Sequence, residues 1–325
     1  MVCFSSRRLA AGLFVCSVVL GAYGCKKDEG KTGGASGGGA SAASNKDLDV
    51  IPAESEIVFG LDLAGAQKSA LFQEYALPRL TQSGDVQKVI TTLKTKCDID
   101  PLAAATSLTA GAKDIAGRNP DIVAVLHGID RARAMPCLDK VKDDLAAEQI
   151  EVTKDGDVVV LKSPEGDLAF TFTGDTTAVI VIGPRANKER VLEVAQGKSP
   201  LKSSREFSDM YGRLQTGHTV WYLVNGQTPA IAQLLDQINV KSKAIFGTVN
   251  VTDKLESNTR IRVDGEEQAT KLAELIKSAA GYIEKMAEKL EVEADGADAR
   301  ATVVFTPKQL KSVIAVVGPL MRGFR

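Results

Sequence analysis

Two hydrophobic periods alternate along this chain, and each change of period marks an element. Ile57-Val58-Phe59-Gly60-Leu61 is a short apolar run of strand type, followed by a helical pattern from about Ala64 to Leu80 that carries Leu71, Tyr75 and Leu80. A second helix is predicted from Asp85, as its N-cap, to Lys96, with Val86, Val89, Ile90 and Leu93 on one face. Cys97-Asp98-Ile99-Asp100-Pro101 ends it, because the residue before proline is pushed out of the helical region. Ile122-Val123-Ala124-Val125-Leu126 reads as a buried strand. The helix after it, through Leu138, Val141 and Leu145, either starts at Pro136 or is kinked there.

Residues 149–183 read as an antiparallel meander. Val158–Leu161, Leu168–Phe172 and Ala178–Ile182 are its strands, with turns at Asp155-Gly156, Pro164-Glu165-Gly166-Asp167 and Gly174-Asp175. A helix from Asn187 to Ala195 stops at Gly197. Residues 200–214 look helical, Val220–Val224 is a strand, and Thr228-Pro229 opens a helix with Ile231, Leu234, Leu235 and Ile238 inward. Ala244–Val251 and Asn258–Val263 are further strands. The longest apolar stripe at three–four spacing runs from about Glu266 to Leu290 and predicts a long core-facing helix.

Comparison of the two parts suggests a duplicated unit. Residues 123–145 parallel 259–281, residues 176–197 parallel 299–318, and the openings at 57–63 and 220–226 correspond. The predicted class is α+β: two related halves of antiparallel sheet packed with helices, over 46–197 and 198–325.

The first residues carry an address. Arg7 and Arg8 precede an apolar run from Leu9 to Tyr23, shorter than the ~20 residues of a spanning helix but sufficient for a secretory signal. Ordinary export fits this stretch better than twin-arginine export. The run ends Gly21-Ala22-Tyr23-Gly24-Cys25, which resembles the lipobox of bacterial lipoproteins, with Gly24 as the small residue before the cysteine. The resemblance implies a signal peptide over 1–24 and acylation of Cys25. Residues 26–45 hold no branched aliphatic or aromatic side chain, so 25–45 reads as a lipidated cysteine followed by a flexible tether.

Composition narrows the function. Lys+Arg is 40 against Asp+Glu 41, and aromatic residues are 5%, so neither phosphate neutralisation nor base stacking points to nucleic acid. With Cys3 and Cys16 removed and Cys25 acylated, Cys97 and Cys137 remain. In an exported protein they form a disulfide or stay as two buried thiols. A bridge would stabilise the fold by about 4 kcal/mol on the chain-entropy view. Only His127 and His218 are present, and both read as structural or solvent-facing. Asp98/Asp100 and Asp155/Asp157 read as turn residues, and Gly197-Lys198-Ser199 lacks the upstream glycine of a phosphate loop. Trp221 and Tyr222 are neighbours in a strand, so one of the two should face the core.

Ile51, Pro52, Ala53, Ser55, Val58, Gly60, Asp62, Leu63, Cys97, Asp100, Pro101 and Cys137 together resemble uncharacterised exported bacterial proteins of duplicated α+β build. That resemblance implies a Cys97–Cys137 bridge and no catalytic residue. The expectation is a cell-envelope lipoprotein, on the outer membrane, with a non-catalytic binding or structural role and no cofactor or metal. Its partners are the membrane, through the anchor, and a protein or apolar ligand. The alternatives are a carrier for an apolar ligand held between the sheet and helix 266–290, and an enzyme with a spatially assembled site.

Overall fold

A computed structural model describes residues 46–313 apart from 83, 118, 199, 230 and 233–239. The signal peptide, Cys25 and the tether lie outside the described residues, as do Leu234, Leu235 and Ile238 of the helix expected after Pro229. The chain begins with β1 (Ile57–Asp62), α1 (Leu63–Lys68), α2 (Leu77–Gln82), α3 (Gly84–Cys97) and α4 (Pro101–Ala104). It continues through β2 (Ser107–Lys113), β3 (Asp121–His127) and α5 (Arg131–Ala147). The meander is β4 (Glu151–Asp155), β5 (Val158–Lys162), β6 (Leu168–Phe172) and β7 (Thr177–Ile182), followed by α6 (Lys188–Ala195) and α7 (Arg205–Tyr211). Then come β8 (Val220–Asn225), β9 (Ala244–Val251), β10 (Leu255–Arg262), α8 (Glu266–Ala279), α9 (Gly281–Met286), β11 (Lys289–Asp295) and β12 (Asp298–Phe305). Residues 307–313 are helical.

These strands form one 12-stranded sheet in the order β11-β12-β10-β9-β8-β1-β2-β3-β7-β6-β5-β4, and neighbouring strands are antiparallel throughout. The class is α+β, as expected. Outward from β1 the order is β1-β2-β3-β7-β6, and outward from β8 it is β8-β9-β10-β12-β11. In each run three consecutive strands lead into a helix, and the last strand of a later hairpin returns beside the third. The β4–β5 hairpin extends only the first run.

Side chains alternate across the sheet, so register assigns each residue to a face. On one face Val58, Val123, Val125, Val179 and Val181 form a core with Val191 and Val194 of α6, Phe207 and Met210 of α7, and Trp221, Leu223 and Phe246. Trp221 is fully buried, and Tyr211 meets its ring edge-to-face at 5.1 Å between centroids. Gly60 faces Trp221 across the β1–β8 pair, and a Cβ there would run into the indole. On the opposite face α8 lays Ala269, Leu272 and Ala273 against Ala299, with Ile261 and Val292 beside them.

Several elements differ from expectation, for physical reasons. The long helix does not reach Leu290: α8 ends at Ala279, α9 is a separate turn, and Lys289–Asp295 is a strand. Ala, Glu and Lys favour helix over this stretch, but Leu290, Val292 and Ala294 are spaced by two and pair with β12. α8 is seated on the sheet, with Ala269, Leu272 and Ala273 in one cluster with Val263 and Ala299. The helix expected over 64–80 is interrupted at Ser69, whose hydroxyl bonds the Thr252 carbonyl at 2.7 Å. α3 starts at Gly84, which puts Asp85 in the first turn and not at the cap, and Val86 and Val89 are 37% and 47% exposed. Pro136 lies inside α5, whose cap is Asp130. β2, Ser-Leu-Thr-Ala-Gly-Ala-Lys, is a strand that no hydrophobic pattern announces.

Cys97, at the end of α3, and Cys137, in α5, form a disulfide with Cα atoms 5.2 Å apart. Ile99, Val141 and the partly buried Leu93 and Leu145 pack around it. This small core ties the α3–α5 pair together, and Lys96–Asp144 at 2.6 Å adds an exposed ion pair of little weight.

Candidate functional site

The face that carries the valine core at β1–β7 changes character beyond β9. Across β9, β10, β12 and β11 the row Phe246–Arg260–Arg300–Glu293 lies on this face, beside the row Thr248–Asn258–Thr302. Residues two apart on a strand share a face, so Arg260 and Arg262 on β10 point together, as do Asp298 and Arg300 on β12.

Asp298 organises this region. It is 0% exposed. Arg262 donates to it from Nε at 2.6 Å and Nη2 at 3.0 Å, while Arg260 Nη1 and Arg213 Nη1 each donate at 3.4 Å. A buried carboxylate is tolerated only when its charge and lone pairs are met, and three guanidinium groups meet them here. Arg262 also donates to Asp209 at 2.7 Å and lies 5.4 Å above the Phe246 ring. The hydrogen bond to Asp298 raises the Arg262 pKa above its ordinary value. The Arg262 bond holds the Asp209 carboxyl below the usual range, and the Arg260 bond at 2.6 Å does the same for Asp295. Arg300 pairs with Glu293 at 3.0 Å.

Above this floor Arg213, from the loop that follows α7, closes over the sheet and leaves a cavity of about 110 Å³. Arg213, Arg260 and Arg300 line it with Gln215, Thr248 and Asn258. No carboxylate is among the described residues that line it. The arrangement presents guanidinium donors to an open cleft and holds the balancing carboxylates beneath and beside it.

A second polar cluster sits at the start of the described chain. Asp47 is buried and accepts from Thr109 Oγ1 at 2.9 Å, and His127 Nε2 lies 2.9 Å from its other oxygen. His127 Nδ1 is 3.1 Å from Thr177 Oγ1. The Asp47 hydrogen bond raises the His127 pKa. The cluster fastens residue 47 to β2, β3 and β7, giving His127 a structural part. His218 Nδ1 lies 3.0 Å from Thr248 Oγ1, and burial lowers its pKa.

Of the residues singled out from sequence, Cys97 and Cys137 are brought together and Cys25 lies outside the described residues. Asp100 caps α4, accepting from the Leu102 and Ala103 amides. The arginine cleft was missed, although the two-residue spacing of Arg260/Arg262 and Asp298/Arg300 is a visible signal of charge gathered on one sheet face. Among the described residues no group of three or more His, Cys, Asp or Glu could hold a metal ion, and no helix is long and apolar enough to cross a membrane.

No family model and no curated protein matches the chain. Solved structures do. Crystal form III of TP0453 superposes with a TM-score of 0.55 at 11% identity, covering 84% of this chain and 99% of that one. Form IV gives 0.52 at 10% identity, covering 84% and 96%, and form I gives 0.51 at 12% identity, covering 85% and 99%. At these identities the likeness is one of fold.

Proposed function

We propose that this chain is an exported bacterial envelope protein, held to a membrane by acyl groups on Cys25, with a binding or structural role and no catalytic one. The observation that carries this reading is the buried Cys97–Cys137 disulfide, which belongs to an oxidising compartment, in a chain that opens with an export signal. Several acyl chains, at about 0.8 kcal/mol per buried methylene, would hold Cys25 firmly in a membrane. Lys26, where an aspartate would favour retention at the inner membrane, inclines the assignment to the outer membrane. The division into halves at 46–197 and 198–325 is part of this reading.

Mass spectrometry of the mature protein tests the anchor. An acylated cysteine at position 25 is expected, and an unmodified N-terminus at any other residue overturns it. Cys25→Ser is expected to move the folded protein from the membrane to the soluble fraction.

A further inference from the structure

We propose that the arginine cleft binds a compact oxyanion of the phosphate or phosphate-ester class. Three cationic side chains reach it from three separate elements, Arg213 from the loop after α7, Arg260 from β10 and Arg300 from β12. Each has five N–H donors in a planar fork, a geometry that matches phosphate oxygens in pairs. The protein pairs of Arg260 and Arg300 use only Nη1. Those of Arg213 use Nη1, with Nε 3.7 Å from Asp209. The Nη2 groups of all three have no partner among the described residues.

Opposing charge is positioned so that it orients the arginines without occupying the cleft. Asp298 lies buried under Arg260 and Arg213, while Asp295 and Glu293 approach from the β11 side. Arg260 is only 12% exposed and held by two carboxylates, so little side-chain freedom is lost when a ligand arrives. Thr248, Asn258 and Gln215 add neutral hydrogen-bonding groups at the wall. The cavity of about 110 Å³ is far larger than a single water needs, ~10–15 Å³, and accommodates a phosphate-sized group. A core-forming face would have received aliphatic residues here, as it does at β3 and β7. The polar lining and the donors left over from the network are what a ligand would use.

The oxyanion has two sources, free phosphate and the headgroup of a phospholipid, and both present the same oxygens. The test is isothermal titration calorimetry on the full chain purified in nonionic detergent, with inorganic phosphate in one arm and glycerol 3-phosphate in the other, against chloride at matched ionic strength. Saturable binding is expected, and the double variant Arg213→Gln/Arg300→Gln should weaken it by at least about tenfold through loss of two charge-assisted contacts. Arg131→Gln, an exposed arginine on α5, should leave it unchanged. Tighter binding of glycerol 3-phosphate assigns the site to a headgroup, and phosphate binding without it assigns the site to the free anion. Absence of saturable binding in both arms overturns the proposal. So does binding that survives in the double variant, once circular dichroism shows that variant folded.

Discussion

One face of a single sheet is built in two ways at its two ends. At β3 and β7 it is aliphatic, and α6 covers it with Val191 and Val194. At β10 and β12 the same face is charged, and the helix that follows β12 lies on the other side, where Leu310 packs with Val251 and Phe305. The connections explain the difference. Gly183, at φ 120°, turns the chain back after β7, and Gly183–Asn187 give α6 the length to swing over the face. After β12 only Thr306 intervenes, and Thr306 and Gln309 form a reciprocal capping box, with bonds of 3.0 and 3.4 Å, that starts the helix at once. A face without its helix has to be satisfied by polar side chains, and the arginine network does that.

The comparison is broken most severely at Asp298. Asp298→Ala leaves Arg262, Arg260 and Arg213 without their shared counter-charge and should cost about 3–5 kcal/mol in urea unfolding. A loss below about 1 kcal/mol would mean that the network does not depend on the buried carboxylate. Paired replacement, Asp298→Leu with Arg262→Met, should recover much of that loss, because the apolar pair needs no counter-charge while Arg260 keeps Asp295 and Arg213 is partly solvated. That result would show the polar end to be kept for something other than stability.

Next in size is the covalent tie beside the covered end. Cys97→Ser/Cys137→Ser should lower stability by about 2–5 kcal/mol, read as the difference in urea midpoint between the variant and the oxidised protein. Gly60→Ala tests the seam between the two ends. Its methyl group would collide with the Trp221 indole, and thermal unfolding should show a cost of about 1–3 kcal/mol from overpacking.

The smallest effect is pH-dependent. The folded pKa of His127 is raised above 6.5 by Asp47, so its stabilisation is complete below pH 6.5 and is lost as pH rises through the raised value. His218 has the opposite sign, since burial lowers its pKa and stability declines as pH falls below 6.5. Urea titrations on both sides of neutrality should show that His127→Gln removes the alkaline-side loss, under about 1 kcal/mol because the ring is partly solvated. An unchanged profile would detach residue 47 from this tie.

Much of the covered end was legible in the sequence. Runs such as Val123-Ala124-Val125 and Val179-Ile180-Val181 declare buried strands by their branched side chains, and the turns at Asp155-Gly156 and Gly174-Asp175 separate them. β2 was not legible, because Thr109, Ala110, Gly111 and Ala112 carry no such signal and Gly111 is set by the close approach of Ile51 and Ser55. At the open end Lys289–Asp295 was absorbed into a helix because its composition favours one. The cleft was illegible for a different reason: Arg213, Arg260 and Arg300 are far apart in sequence, and only the β10–β12 register and the loop after α7 unite them.

Among the described residues the sheet does not close, and β4 and β11 are its edge strands. Such edges are templates for uncontrolled polymerisation. β11 reads Lys289-Leu290-Glu291-Val292-Glu293-Ala294-Asp295. If two copies paired edge to edge about Val292, Glu291 would face Glu293 on both sides of the junction, and like charges directly opposite repel. β4, with Glu151, Lys154 and Asp155 largely exposed, is short and charged as well. These edges favour a protein that stays dispersed at high local concentration, and replacing Glu291 and Glu293 by valine would turn an inert border into an adhesive one.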